Sequence, residues 1–324
     1  MEKRNRLLRA GILIACNAAI LALLLFFFNG GRDFSLAQKE DARLIGASYM
    51  TMNNEFYTII SEEVAYRAEA EGDRMILRDP ALDPERQAEQ IRDLLDMGVS
   101  ALVVAPADAE SLADVLTEAR NRGVKIIVVD TAVAEGTPSD CTITSDNYEA
   151  GVIVGKYFLQ KHDAAKLVVM THDSARSARE RVDGFLDTVS ANENIQVVKR
   201  IECEGQVEIA MPRLQEAIDE GLDFDTVFCL NDLAGVGVVA ALDENGLLDQ
   251  VDVYGVDASP DSKELIHEGK MEATAAQFPT VIGKEAADAI YRCLDGEEAE
   301  DTILTPVKLI YAENVEEFGI NRWQ

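Results

Sequence analysis

The amino-acid sequence predicts an α/β fold of two lobes with parallel sheets, preceded by one N-terminal transmembrane helix. Three observations predict this class. Short apolar segments rich in Val and Ile alternate with helical patterns, as in repeated strand-helix units. These segments are nearly continuously apolar, which is typical of strands buried on both faces. A 19-residue apolar stretch lies in front of all of these units.

The predicted strands and helices follow one another in a regular order. Eight strands are predicted at residues 44–50, 74–79, 101–106, 125–130, 166–171, 195–201, 226–232 and 252–257. The helices between them are predicted at residues 56–71, 84–96, 109–121, 147–161, 178–190, 208–220 and 233–244. Gly72, Gly98 and Gly123 follow three of these helices, where glycine commonly ends a helix. This order predicts parallel sheets built from βαβ units.

Two lobes explain the strand pattern better than one closed barrel does. The strands form two runs of four, over residues 44–130 and 166–257, and "DCTITSDN" at 140–147 lies between the runs. After the eighth strand come "MEATAAQFP", a helix at 281–294 and "TPVKLIYA". A barrel of eight strand-helix units, the structural alternative, has no place for this additional strand-forming sequence.

The first 42 residues are expected to form a membrane segment and a linker. Ala10–Phe28 has one polar residue, Asn17, and is long enough for a helix to span a hydrocarbon core. Because four basic residues precede this stretch, residues 1–9 are predicted to be a cytoplasmic tail, residues 10–28 an uncleaved anchor and residues 29–42 a linker. A cleaved signal peptide and a lipoprotein signal with Cys16 are the alternatives. Each possibility places the remaining chain outside the cytoplasmic membrane.

Composition and motifs exclude several classes of function. The chain has 30 Lys and Arg against 59 Asp and Glu, a net charge of −29, so no nucleic-acid partner is expected. Three histidines and five irregularly spaced cysteines lack metal-ligand spacing, and no cofactor is predicted. The sequence has no P-loop, no G-x-G-x-x-G and no G-x-S-x-G, and no histidine is placed to activate a nucleophile. It therefore predicts a binding protein rather than an enzyme.

Polar side chains collect at the predicted carboxyl ends of the strands, where ligands bind in open parallel sheets. In chain order these ends carry "TMNNEFYT" (51–58), Asp130, "THDSARSARER" (171–181), Asn231-Asp232, Asp257 and Gln277. Carboxylates, amides and a guanidinium together can satisfy hydroxyl groups, which both donate and accept hydrogen bonds. Aromatic side chains can cover the C–H face of a sugar ring. The set predicts a site for a polyhydroxylated neutral ligand.

From about residue 43 to residue 312 the chain resembles the type I periplasmic sugar-binding proteins, most closely their ribose-binding branch. The resemblance is carried by "NNEFY" (53–57), "VVDTA" (128–132), "SARERVDGF" (177–185), "VFCLND" (227–232), "YGVDASPD" (254–261) and "ATAAQFP" (273–279). It implies two Rossmann-like lobes joined by a three-segment hinge, with crossings near Ser145–Asp146, Gln277–Phe278 and Pro306. The N-terminal lobe would comprise residues 43–145 and 278–305, and the C-terminal lobe residues 146–277 and 306–324.

The resemblance also implies a site, a ligand and a partner. The side chains expected to line the cleft are Asn54, Phe56, Tyr57, Asp130, Arg181, Asn231, Asp257 and Gln277. The expected ligand is a monosaccharide or a similar small polyol, and the expected partner is an ABC permease that receives it. A tethered receptor could instead report its ligand to a membrane histidine kinase or a chemoreceptor, and the sequence leaves this alternative open.

Three positions depart from the ribose-binding pattern. Thr131 stands where that pattern has an arginine, and Val256 stands where it has an aromatic residue. The segment "ECEGQ" at 202–206 also lacks an aromatic residue. These departures predict a pocket with one cation fewer and with stacking mainly on one face of the ring. Other sugars and small polar molecules therefore join ribose among the expected ligands.

Overall fold

The structure, a computed structural model, describes residues 42–324. Its strands are β1 (Leu44–Ser48), β2 (Arg74–Arg78), β3 (Ala101–Val104), β4 (Lys125–Val129), β5 (Cys141–Ser145), β6 (Ala165–Thr171), β7 (Ile195–Glu202), β8 (Thr226–Cys229), β9 (Asp252–Asp257), β10 (Ala273–Ala276), β11 (Thr302–Thr305) and β12 (Lys308–Tyr311). They form two six-stranded sheets, ordered β11-β5-β4-β3-β1-β2 in the N-terminal lobe and β12-β10-β9-β8-β6-β7 in the C-terminal lobe. All neighbouring strands are parallel except β10 and β12. The predicted α/β class with two parallel-sheet lobes is confirmed.

Helices connect the strands on both faces of each sheet. They are α1 (Glu55–Ala70), α2 (Pro84–Asp96), α3 (Ala113–Asn121), α4 (Asn147–Lys161), α5 (Arg176–Val189), α6 (Val207–Asp219), α7 (Asp232–Glu244), α8 (Pro260–His267) and α9 (Pro279–Leu294), with a 3-10 turn at Val315–Phe318. Asp83 caps α2 by accepting a hydrogen bond from the Arg86 N–H, and Pro84 occupies its first turn. The glycines after α1 and α2 have φ of +76° and +81°, a left-handed conformation that glycine adopts at little cost.

Four elements differ from the sequence-based prediction. The segment predicted only as a connection, residues 140–147, contains the buried strand β5. The short strand β11 and the short helix α8 are additional elements, and α3 begins at Ala113 rather than at residue 109. Short elements of this kind carry too few residues to show a periodic pattern, and their packing decides their conformation.

The chain passes between the two lobes at three places. It leaves the N-terminal sheet after β5 and enters α4, which packs against strands of the C-terminal sheet. It returns between β10 and α9, since α9 packs against α1 and β4. It crosses again between β11 and β12, the last strands of the two sheets. Three passages at one edge allow the facing strand ends of both lobes to border one cleft.

Two glycines let α4 and α5 pack backbone to backbone. A Cβ atom on Gly151 would lie 2.0 Å from the Arg181 carbonyl oxygen, and one on Gly184 would lie 2.1 Å from the Tyr148 carbonyl oxygen. No side chain fits at these distances. The close approach fixes α5 against α4, and α5 carries the guanidinium of Arg181 into the cleft.

The described part of the chain contains four buried cysteines. Cys141, Cys203, Cys229 and Cys293 are buried and unpaired within residues 42–324.

Within residues 42–324 no helix is both long and apolar enough to cross a membrane. The predicted tail at 1–9, the anchor at 10–28, Cys16 and all but the last residue of the linker lie outside the described residues.

Candidate ligand-binding cleft

The eight side chains selected from the sequence line one cavity between the lobes. The space between these side chains, including the part that is open to solvent, is about 440 Å³. Its lining includes Asn54, Phe56, Tyr57, Asp130, Arg181, Asn231, Asp257 and Gln277. The structure therefore brings the predicted set together, while the role of these side chains in ligand binding remains a prediction.

Tyr57 and Asp130 form the N-terminal wall. Tyr57 donates its hydroxyl hydrogen to Asp130 Oδ2 at 2.8 Å, and both side chains are buried. Phe56 lies edge-on to Tyr57, with ring centroids 5.5 Å apart. Burial raises the pKa of Asp130 above its ordinary value, against the lowering effect of Arg181. The two aromatic rings expected to face a sugar are in place, and the Tyr57 hydroxyl is already committed to the carboxylate.

Arg181 joins the carboxylates of the two lobes. Its Nε donates to Asn147 Oδ1 at 2.8 Å, and its Nη1 donates to the Leu230 carbonyl at 3.2 Å. Nη1 also lies 3.4 Å from Asp257 Oδ1, and Nη2 lies 3.8 Å from Asp130 Oδ1. The guanidinium is thus oriented by neutral acceptors while it faces two acids. Asn147, the first residue of α4, was not selected from the sequence, and its contact with Arg181 joins residues 34 positions apart.

Asp257 and Gln277 form the floor of the cavity. Gln277 donates through Nε2 to Asp257 Oδ1 at 2.6 Å. Its Oε1 is buried and has no hydrogen-bond partner within the described chain. Burial raises the pKa of Asp257 to about 7, although Arg181 acts in the opposite direction. Asp257 and Asp130 have φ of +134° and +65°, conformations that cost energy in non-glycine residues and that often occur at functional sites.

Asn54 and Asn231 each serve as a helix cap as well as lining the cavity. Asn54 Oδ1 accepts a hydrogen bond from the Phe56 N–H, and Asn231 Oδ1 accepts one from the Ala234 N–H. Asn231 Nδ2 donates to the Gly205 carbonyl at 3.0 Å. Each amide oxygen accepts one backbone N–H and keeps a second lone pair. Both residues can therefore still accept a hydrogen bond from a ligand as well as donate one.

The residues that depart from the ribose-binding pattern have structural partners. Thr131 Oγ1 accepts the Ser177 N–H at 3.0 Å, a hydrogen bond at the start of α5. Val256 is fully buried within the C-terminal sheet and does not line the cavity.

His172 lines the cavity. Burial lowers its pKa, so that its imidazole is neutral near pH 7.

Residues missed by the sequence analysis link the lobes at the rim. Asn53 Nδ2, in the N-terminal lobe, donates to Gln206 Oε1 and to Glu208 Oε1 in the C-terminal lobe, each at 3.0 Å. The contacts span more than 150 positions of sequence, so local pattern carries no signal for them. They hold the lobes in the arrangement that encloses the cavity.

The C-terminal tail borders a second cavity beside the first, of about 380 Å³. Lys263 Nζ donates to the Gly319 carbonyl and to Gln324 Oε1, each at 2.9 Å. Gln324 Nε2 donates to the Ala258 carbonyl at 2.8 Å, next to the floor of the cleft. Trp323 Nε1 donates to Glu55 Oε2 at 2.8 Å, so the tail contacts both lobes.

Comparison with known proteins identifies the family. The profile of the periplasmic binding protein domain matches residues 45–298. The chain belongs to the type I periplasmic sugar-binding proteins. It is a solute-binding protein rather than an enzyme, and its binding domain is extracytoplasmic. The resemblance noted in the sequence is confirmed.

Individual relatives are similar to this chain over most of its length. The ribose import binding protein of Bacillus subtilis is 28% identical over 267 residues, which cover 82% of this chain and 86% of that protein. A solute-binding protein of an ABC transporter from Mycobacterium smegmatis, solved with bound glycerol, is 28% identical with a TM-score of 0.80, covering 86% of this chain and 97% of that one. A solute-binding protein from Bacillus halodurans with bound myo-inositol has a TM-score of 0.80 at 22% identity, covering 88% and 100%, which shows the shared fold.

Proposed function

We propose that the protein is a membrane-tethered extracytoplasmic receptor that binds a monosaccharide or a similar small polyol and delivers it to an ABC permease. The observation that carries this proposal is the ring of hydrogen-bonding side chains at facing strand ends of two lobes. Hydrogen-bond donors and acceptors both line the cavity, and two aromatic rings adjoin them. A hydroxyl group both donates and accepts, so a polyol matches such a lining better than a purely apolar or purely anionic molecule does.

Enclosure between lobes suits a receptor that must hold its ligand and later release it. Cross-lobe contacts such as those of Asn53 require the two lobes to lie close together. A ligand that contacts both lobes stabilises the closed state through its differential affinity. A permease can then distinguish a loaded receptor from an empty one by its shape. The predicted anchor at residues 10–28 would keep the receptor near its membrane partner.

The relatives support the same class of ligand. The Bacillus subtilis relative is named for ribose import, and solved relatives hold glycerol or myo-inositol. All of these molecules are small and polyhydroxylated. The departures at Thr131 and Val256 argue for a member of this class other than ribose itself.

Calorimetry with a panel of pentoses, hexoses, cyclitols and amino derivatives tests the proposal. We expect at least one member to bind with a Kd below about 10 μM, equivalent to about −7 kcal/mol. Arg181→Ala should weaken that binding at least a hundredfold, because it leaves two buried carboxylates facing the ligand. Arg176→Ala is the matched control, since Arg176 lies on the same helix but is exposed. Absence of binding across the panel, or equal effects of the two variants, would contradict the proposal.

A further inference from the structure

The cleft buries more negative than positive charge. Asp130 and Asp257 are 4% and 3% exposed, and the guanidinium of Arg181 lies between them. Arg181 is the one Lys or Arg among the residues that line the cavity in the described chain. Glu204, at the exposed rim, adds a further carboxylate, and the lowered pKa of His172 leaves that side chain neutral. Two buried carboxyl groups therefore share one cation, and the raised pKa of Asp257 agrees with the lack of a second one.

The hydrogen bonds of the floor show a matching shortage of donors. Gln277 is 1% exposed and uses its amide N–H on Asp257, while its Oε1 has no donor within residues 42–324. The orientation of the amide is fixed by that carboxylate, which accepts only from the nitrogen. A buried acceptor without a partner is destabilising. A ligand group that donates but does not accept would satisfy this acceptor.

One chemical group would therefore supply both the missing positive charge and the missing hydrogen-bond donor. We propose that the ligand is a polyol that carries a protonated amine, such as an amino sugar or an amino cyclitol, with the ammonium placed between Asp257 and Gln277 Oε1. An ammonium has three donors, no acceptor and one positive charge. It would complete a two-cation, two-carboxylate set with Arg181. This assignment rests on the proposed function, because it names the ligand class of the same cleft.

A neutral polyol meets the hydrogen-bonding and charge requirements of Asp257 and Gln277 less well. Its hydroxyl group can donate to Gln277 Oε1, but it brings no charge to the carboxylate beside it. A hydroxyl and an ammonium can both donate a charge-assisted hydrogen bond to a carboxylate, but only the ammonium also supplies the positive charge that a buried carboxylate needs as a partner. We therefore expect an amine to bind at least tenfold more tightly than its hydroxyl parent.

Matched ligand pairs test the proposal by calorimetry at pH 7 on the purified full-length protein. The pairs are D-glucose with D-glucosamine, D-galactose with D-galactosamine, and myo-inositol with an inosamine, and each N-acetylated amine serves as a neutral control. At least one amine should bind tenfold more tightly than its parent, and acetylation should abolish that advantage. Asp257→Asn should reduce the ratio of the two affinities at least fivefold, whereas Asp163→Asn, at an exposed position, should preserve it.

The outcomes separate the ligand class from the proposed function. Parents that bind as tightly as their amines, or more tightly, would overturn the amine assignment and leave the polyol receptor standing. An amine advantage that survives acetylation or Asp257→Asn would also overturn it, because charge would not be its cause. Absence of binding by every parent and every amine would overturn both the assignment and the proposed function.

Discussion

Asp257 should make the ligand-free protein less stable as the pH rises. Burial raises the pKa of this carboxyl from 3.8 to about 7 in the folded state. Between these two values the folded protein binds a proton that the unfolded chain has released. Stability is therefore retained below about pH 4 and falls as the pH rises through the window from 4 to 7. Asp257→Asn removes the group that titrates and should remove its part of the decline.

The magnitude follows from the size of the shift. About three pKa units at 1.36 kcal/mol each give an upper value of about 4 kcal/mol for the cost of ionising Asp257 in the folded protein. Asp130 and Asp232 are buried acids whose pKa values are raised in the same direction, so the wild-type decline includes their contributions. The difference between wild type and variant isolates Asp257 together with its repulsion of these neighbours.

Urea unfolding at pH 5 and pH 8, followed by circular dichroism, measures the effect. At pH 5 the Asp257→Asn variant should already be more stable than wild type by about 1.6 kcal/mol, because the unfolded wild-type chain has released the proton that the folded protein still binds. At pH 8 the variant should be more stable, by up to about 4 kcal/mol. Asp163→Asn controls for the loss of one acid from the surface. Equal declines of wild type and Asp257→Asn between the two pH values would refute the reasoning.

Three further predictions concern the wall of the cleft, its rim and the helix packing behind it. Tyr57→Phe should lower the free energy of unfolding by about 1–3 kcal/mol, because Asp130 loses its donor, and urea unfolding at pH 8 measures this. Asn53→Ala should weaken polyol binding by about fivefold, through the loss of cross-lobe hydrogen bonds, without a change in unfolding; an unchanged Kd would argue against a role in closure. Gly151→Ala should destabilise strongly, since its Cβ meets backbone at 2.0 Å, whereas Gly235→Ala meets only the flexible end of a methionine; similar melting temperatures would contradict this packing.

The residues selected from the sequence line one cavity because the fold class determines where strand ends lie, and their role in binding stays a prediction. Asp130, Asp257 and Gln277 were selected as polar residues at carboxyl ends of apolar segments and through the family resemblance, and all three line the cavity. Parallel sheets bring such positions to one edge whatever the details of the helices. The same argument placed Phe56 and Tyr57, which follow the first strand.

Other features depended on contacts that no local pattern shows. The hydrogen-bond partners of the Asn54 and Asn231 amides, which cap helices and also line the cavity, required the folded geometry. The contact between Arg181 and Asn147 joins two helices whose approach is set by glycines. The hydrogen bond from Trp323 in the C-terminal tail to Glu55 joins residues 268 positions apart. Packing between segments that are far apart in the sequence determines each of these contacts.

The buried cysteines make this receptor suitable for site-specific labelling. Cys141, Cys203, Cys229 and Cys293 are inaccessible, and burial raises the pKa of each thiol, so none presents the thiolate that reacts with a maleimide. A cysteine introduced at an exposed rim position would be the reactive thiol of the described domain. A dye on such a cysteine would report cleft closure directly, and it would convert the receptor into an optical sensor with which unknown ligands can be screened.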